Sequence, residues 1–154
     1  MHIGELLTSD RIVNDADIHS KKRALEALSE LLAQGAQVSS HEVFDTLLAR
    51  ERLGSTGLGH GVAIPHARIA GLEQTQAAFI KLKEGVDFDA PDREPVDLLF
   101  ALAVPETCTN EHLETLARLA RLFSDPATVH QLRNAHDGAA TLDLLNDWDA
   151  RHAA

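Results

Sequence analysis

The clearest pattern along the chain is an apolar stripe after Ser20. Leu25, Leu28, Leu31 and Leu32 recur three and four residues apart, and Gly35 follows as a left-handed stop. Ser20 opens this predicted helix, whose apolar face is suited to packing on a sheet. A second helix is predicted from Ser39, with Glu42 three residues on in a capping-box pattern and Phe44, Leu47 and Leu48 on one face. It stops near Gly54, so Arg50 and Arg52 fall in its last turn, where the helix dipole favours cations.

Past residue 61 the periodicity changes. Val62-Ala63-Ile64 is a short apolar run suited to a buried strand, and Pro65 removes an amide donor, so the strand ends or reaches an edge there. His66 is therefore expected at a rim of the sheet. Residues 77–82 read as another strand, and Val96 to Val104, bounded by Pro95 and Pro105, as a longer central one; a turn-rich connection from Gly85 to Arg93 separates them. Helical spacing returns with Leu113, Leu116, Leu119, Ala120 and Phe123 behind a cap at Thr109 or Asn110. Asp125-Pro126 opens a further helix and Asp137 the last. Helices, then strands, then helices predict an α/β (α+β-like) fold, a mixed sheet covered on both faces, with strand order left open.

Composition narrows the setting. The 154 residues, 44% of them hydrophobic, suit one domain over 1–154 with a real core. No basic leader precedes a long apolar run and no stretch is apolar enough to span a bilayer, which makes a cytoplasmic location the expectation, without membrane insertion. Cys108 is the lone cysteine, so neither an internal disulfide nor a zinc-thiolate site is expected. Acidic residues outnumber basic ones 24 to 14, and a net charge of −10 argues against nucleic acid as a partner.

Candidate chemistry concentrates between Arg50 and Arg68, in RERLGSTGLGHGVAIPHAR, where a glycine-rich loop feeds a short strand and a histidine. The glycine spacing is not GxGxxG and no GKS or GKT follows, so nucleotide-binding readings fall away. His60 and His66 share strand parity and, with His112 or an aspartate, could form a metal set, but no strong metal motif is present. Ser55 as a hydrolase nucleophile lacks the GxSxG elbow, and Gly54-Ser55-Thr56-Gly57 reads as a turn. The remaining reading makes His66 a phosphoryl acceptor, since a neutral imidazole with a pKa of about 6.5 is a competent nucleophile at neutral pH. Arg50, Arg68, His112 and loop amides would supply the charge stabilisation.

The wording of that segment closely resembles the phosphorylation segment of enzyme IIA domains of the fructose/mannitol class in the bacterial phosphotransferase system, and within it the nitrogen-regulatory branch. FDAPDREPVDLLFALAVPE, EHLETLARLA and SKKRALEALSELLA resemble further blocks of the same family, so the similarity covers nearly the whole chain. The resemblance implies a mixed sheet flanked by helices and a phosphotransferase-system component more than a stand-alone enzyme, working without a cofactor. It implies that His66 is the phosphorylated histidine, that Arg50 holds the phosphoryl group and that His112 supports it without accepting it. The donor it implies is a histidine phosphocarrier of the HPr type. The recipients are regulated target proteins or, in a sugar-transport alternative, a IIB domain; a binding module that keeps the fold without phosphorylation is the third reading. His60 and Arg68 receive no role from it.

Overall fold

In the computed structural model, which describes residues 2–108 and 110–152, two 3-10 turns (Ile3–Leu6 and Ser9–Arg11) precede β1 (Ile12–Ala16), α1 (Lys21–Ala33) and α2 (Ser40–Leu53). The middle of the chain forms β2 (Gly57–Gly59), β3 (Val62–Ala63), β4 (His66–Ile69), β5 (Gln76–Val86) and β6 (Val96–Pro105). It closes with α3 (Glu111–Phe123), α4 (Pro126–Asn134) and α5 (Gly138–Arg151).

The helices begin where the sequence supplies oxygen acceptors. Ser20 Oγ accepts the Arg23 amide, Ser39 Oγ the His41 amide, Asp125 Oδ1 the Ala127 amide and Asp137 Oδ1 the Ala140 amide. Gly35, with φ of 76°, follows α1 as predicted. Asn110 stands at the N-cap of α3 in an αR conformation without a side-chain cap bond, and Thr109, the other predicted cap, lies outside the described residues.

The sheet runs β1-β5-β6-β3-β2, with β4 also on β6. The pairs β5–β6 and β2–β3 are antiparallel, and β1–β5, β3–β6 and β4–β6 are parallel, so the sheet is mixed. Strands β3 and β4 are two segments of one line along the same edge of β6. Val62 and Ala63 face Leu98 and Leu99, while His66 to Ile69 face Leu102 to Pro105. Between them Pro65 has no N–H to give, but its carbonyl accepts the Leu102 amide at 2.9 Å. The proline thus interrupts the line, and His66 is the first residue after the break.

Alternation along β5 and β6 serves two cores. Ala78, Ile80, Leu82, Leu99, Ala101 and Ala103 face α1 and α2, together with Leu25, Leu28, Val43 and Leu47. On the opposite face Phe79, Leu98, Phe100 and Leu102 pack with Leu119, Phe123, Leu132, Leu145 and Trp148 of α3, α4 and α5. Burial of β6 on both sides is why its sequence reads as an unbroken apolar run.

Some elements differ from the sequence expectation. The second long strand does not stop at residue 82 but continues through Gly85 to Val86, by way of a register shift between Lys81 and Val86 that leaves Lys83 and Glu84 exposed. Strand β1 gave no periodic signal because only Ile12 of IVNDA is fully buried. No helix among the described residues is long and apolar enough to cross a membrane.

The tip between β2 and β3 is built on positive φ at Gly59 (91°), His60 (56°) and Gly61 (81°). Asp92 accepts the His60 amide, Arg133 donates to the His60 carbonyl, and the same guanidinium pairs with Asp97 at 2.9 Å. A Cβ on Gly61 would collide with Arg133 Nη2 and lie 2.8 Å from Asp97 Oδ1. Gly61→Ala is expected to lower unfolding free energy by about 2 kcal/mol, from left-handed strain and a displaced ion pair. Urea unfolding would show it as a lower midpoint at unchanged slope.

Candidate functional site

The site starts from the end of α2. Helical spacing carries the buried series Val43 and Leu47 on to Glu51, so a carboxylate falls on the apolar stripe. Its side chain is 1% exposed and pairs with Lys21 Nζ at 3.2 Å. Burial of that charge is compatible with folding because its remaining lone pairs are also used. Oε1 accepts the Thr56 amide at 3.1 Å and Oε2 accepts the Thr56 hydroxyl. One residue earlier, Arg50 turns back and donates from Nη1 to the Gly54 carbonyl at 2.8 Å.

The glycine-rich loop is held in turn by its hydroxyls. Ser55 Oγ donates to the Phe88 carbonyl at 2.8 Å and accepts the Gly57 amide at 3.0 Å, a turn role that leaves nothing of the hydrolase reading. The Thr56 carbonyl accepts the Ile64 amide at 3.0 Å. Beyond the Pro65 break, the Ile64 carbonyl receives a hydrogen bond from His66 Nδ1 at 2.9 Å.

That last bond assigns the tautomer. A carbonyl oxygen can only accept, so Nδ1 carries the proton and Nε2 keeps its lone pair. His66 is half-buried, and this burial pushes its imidazole below the usual histidine pKa; the Ile64 carbonyl opposes, Arg50 adds to the depression, Glu51 opposes it, and His112 adds to it again. Near pH 7 the ring is neutral and nucleophilic at Nε2.

His66, Arg50 and His112 line one cavity of about 510 Å³, reached from β4, α2 and α3 respectively. Arg68 lines it too, and Leu53, Leu102, Val104 and Leu116 make much of the remaining wall apolar. His112 sits in the first turn of α3, and its Nδ1 is buried without a hydrogen-bond partner among the described residues. A buried, unsatisfied ring nitrogen beside a cavity is a group left for a ligand to satisfy. In a chain of net charge −10, two arginines converging on one mouth form a local anion-attracting site.

The other sequence candidates go elsewhere. His60 stands at the exposed tip between β2 and β3, beside Arg133, and lines a separate pocket with His130. Among the described residues no group of three or more His, Cys, Asp or Glu side chains could hold a metal ion, so His60, His66 and His112 do not form one set. Sequence reasoning missed Glu51 and Lys21, although Thr56 was expected to hydrogen-bond through its hydroxyl, as it does to Glu51. The available signal for Glu51 was its phase, four residues after Leu47 on the apolar face; Lys21 lies too far along the chain to be paired with it by inspection.

The chain is similar to known proteins over most of its length. The model of the family described as "Phosphoenolpyruvate-dependent sugar phosphotransferase system, EIIA 2" matches residues 5–148. The chain is 40% identical over 148 residues to the nitrogen regulatory protein of Pseudomonas aeruginosa, covering 96% of each. It is 34% identical over 127 residues to the fructose-specific EIIA component of Haloferax volcanii, covering 82% of each. Its fold superposes on the crystal structure of nitrogen regulatory protein IIA-Ntr from Neisseria meningitidis with a TM-score of 0.89 and 48% identity, over 93% of this chain and 98% of that one. The mixed, helix-covered sheet, the cavity and these matches together identify the chain as a member of the EIIA 2 family of the phosphoenolpyruvate-dependent sugar phosphotransferase system.

Proposed function

We propose that this protein is a phosphoryl carrier of the nitrogen-regulatory kind, accepting a phosphoryl group on Nε2 of His66 from an HPr-like histidine phosphocarrier. Its phosphorylation state then governs which target proteins it binds. The observation that carries the reading is the half-buried, Nδ1-protonated His66 on a cavity shared with Arg50 and His112. In the transfer, the Nε2 lone pair forms a new N–P bond while the carrier's own P–N bond breaks, its electron pair staying on the carrier nitrogen. Arg50 provides charge-assisted hydrogen bonds to the phosphoryl oxygens, and His112 supports them from α3. No cofactor or metal is required, and the work is cytoplasmic.

One feature favours a protein, not a small molecule, as donor: the cavity is lined by Leu53, which is 86% exposed, so its mouth carries an apolar side chain that a docking surface can cover. Similarity to nitrogen regulatory proteins across 96% of each chain supports the regulatory role. A second reading, onward transfer from His66 to a IIB partner of the fructose/mannitol class, draws on the similarity to a fructose-specific EIIA component.

Incubation with the labelled, phosphorylated carrier should place label on the wild type and none on His66→Ala. Absence of label from the wild type refutes the reading and leaves a non-phosphorylated binding module, whereas label surviving the substitution refutes His66 as the acceptor. Further addition of a IIB partner separates the two carrier readings, since only the transport form passes label on. Arg50→Ala should be labelled roughly a hundredfold more slowly, the loss typical of one preorganised charge donor; wild-type kinetics would remove Arg50 from the site.

The pH dependence has a definite sign. Only the neutral ring accepts, and its pKa lies below the usual histidine value, so acceptor competence is complete at pH 7 and is lost as pH falls through that lowered value. An NMR titration of the His66 ring with midpoint at or above about 6.5 would contradict this.

A further inference from the structure

Three residues in sequence connect a lysine on one helix to the candidate acceptor histidine. Lys21 Nζ meets Glu51 Oε1 at 3.2 Å, Glu51 takes the amide and hydroxyl of Thr56, the Thr56 carbonyl takes the Ile64 amide at 3.0 Å, and the Ile64 carbonyl takes His66 Nδ1–H at 2.9 Å. Lys21 is itself fixed, donating to the Phe88 carbonyl at 3.3 Å and lying 4.5 Å from the centre of the Phe88 ring. Position 51 lies on an otherwise apolar face of α2, where the carboxylate is held by Lys21 and Thr56. Its helical neighbours on that face, Val43 and Leu47, are fully buried hydrophobics.

We propose that Glu51 is a positioning residue for His66: through Thr56 and Ile64 it fixes the acceptor that holds the Nδ1 proton, and its negative charge offsets the positive ring that phosphoryl transfer creates. The inference rests on the phosphoryl-carrier reading. When Nε2 forms its bond to phosphorus, Nδ1 keeps its proton and the ring becomes a phosphorylated imidazolium. If that proton is retained, the ring departs as neutral imidazole on onward transfer, the better leaving group. Loss of the proton would strand the phosphoryl group on a poorer one. A buried carboxylate whose charge reaches the ring favours retention, as an orienting carboxylate behind a catalytic histidine does in hydrolases. The charged or titratable groups gathered around His66 are Arg50 and Glu51 from α2, Arg68 from its own strand and His112 from α3. Glu51 is the acidic member of that set.

The test is a titration of nitrogen-15-labelled imidazoles in the unphosphorylated protein, for wild type, Glu51→Gln and Lys21→Met. Glu51→Gln keeps the shape and removes the charge, so His66 should protonate at lower pH than in the wild type and show less of the Nδ1–H tautomer. Lys21→Met leaves the carboxylate less compensated and should move the protonation of His66 to higher pH. A merely structural role would give no such opposite pair of shifts. Labelling of Glu51→Gln by the phosphorylated carrier should also slow roughly ten- to a hundredfold, the range for an outer partner that orients a functional histidine. Folded Glu51→Gln whose His66 titrates and tautomerises like the wild type overturns the proposal. Should that variant not fold, Lys21→Met decides alone, and an unmoved or lowered His66 titration overturns it. Because the titration uses unphosphorylated protein, failure of the wild type to accept label rejects the carrier reading separately from the role of Glu51.

Discussion

The break at Pro65 is the constraint on which the site depends. A continuous strand from Val62 to Ile69 would commit the backbone groups along that stretch to the ladder with β6. Instead Pro65 has no amide to contribute, pairing pauses after Ala63, and it resumes at His66 in register with Leu102. Ile64 turns its backbone groups away from β6: its amide bonds the Thr56 carbonyl, and its carbonyl accepts from the side chain two residues on. A rigid edge of the sheet, not a mobile loop, therefore holds the imidazole, and the ring's tautomer follows from backbone geometry. Since β6 is buried on both faces, the strand that anchors this edge has little freedom to move.

Electrostatics at the site is a balance of opposed neighbours. Burial and Arg50 weaken the basicity of His66, whereas the Ile64 carbonyl and Glu51 restore part of it. In the proposed phosphoryl transfer the ring is neutral before it receives a group and cationic after. A site built only of arginines would favour the incoming phosphate but destabilise the ring that carries it, and the role proposed for Glu51, paired with Lys21, is to offset that.

Legibility in the sequence follows from how local each signal is. The helix starts at Ser20, Ser39, Asp125 and Asp137 were readable because a cap and its helix lie within a few residues of each other. The long apolar run of β6 was readable because double burial leaves no polar alternation. Strand β1 was not, since its pairing with β5 comes from residues more than sixty positions away and none of its residues after Ile12 is buried. At the site, Arg50, His66 and His112 stood out by type and by resemblance, and the fold gathers them on one cavity. Glu51 was hidden between two arginines and looked like another solvated charge at a helix end; only the phase of α2 and the distant Lys21 reveal it as buried.

The two ends of the chain carry a different kind of contact. The amide of Gly4 donates to Asp149 at 2.7 Å across 145 residues of sequence, and Arg118 grips the same carboxylate while lying over Trp148. Bringing two points that far apart together in a free chain costs about 4 kcal/mol of loop entropy. A charge-assisted hydrogen bond returns about 1.5–3 kcal/mol, less than that closure requires. The clamp is thus not what draws the two ends together. It rides on a sheet and helices that have already done so, which makes it a latch whose closure reports that the rest of the architecture is complete.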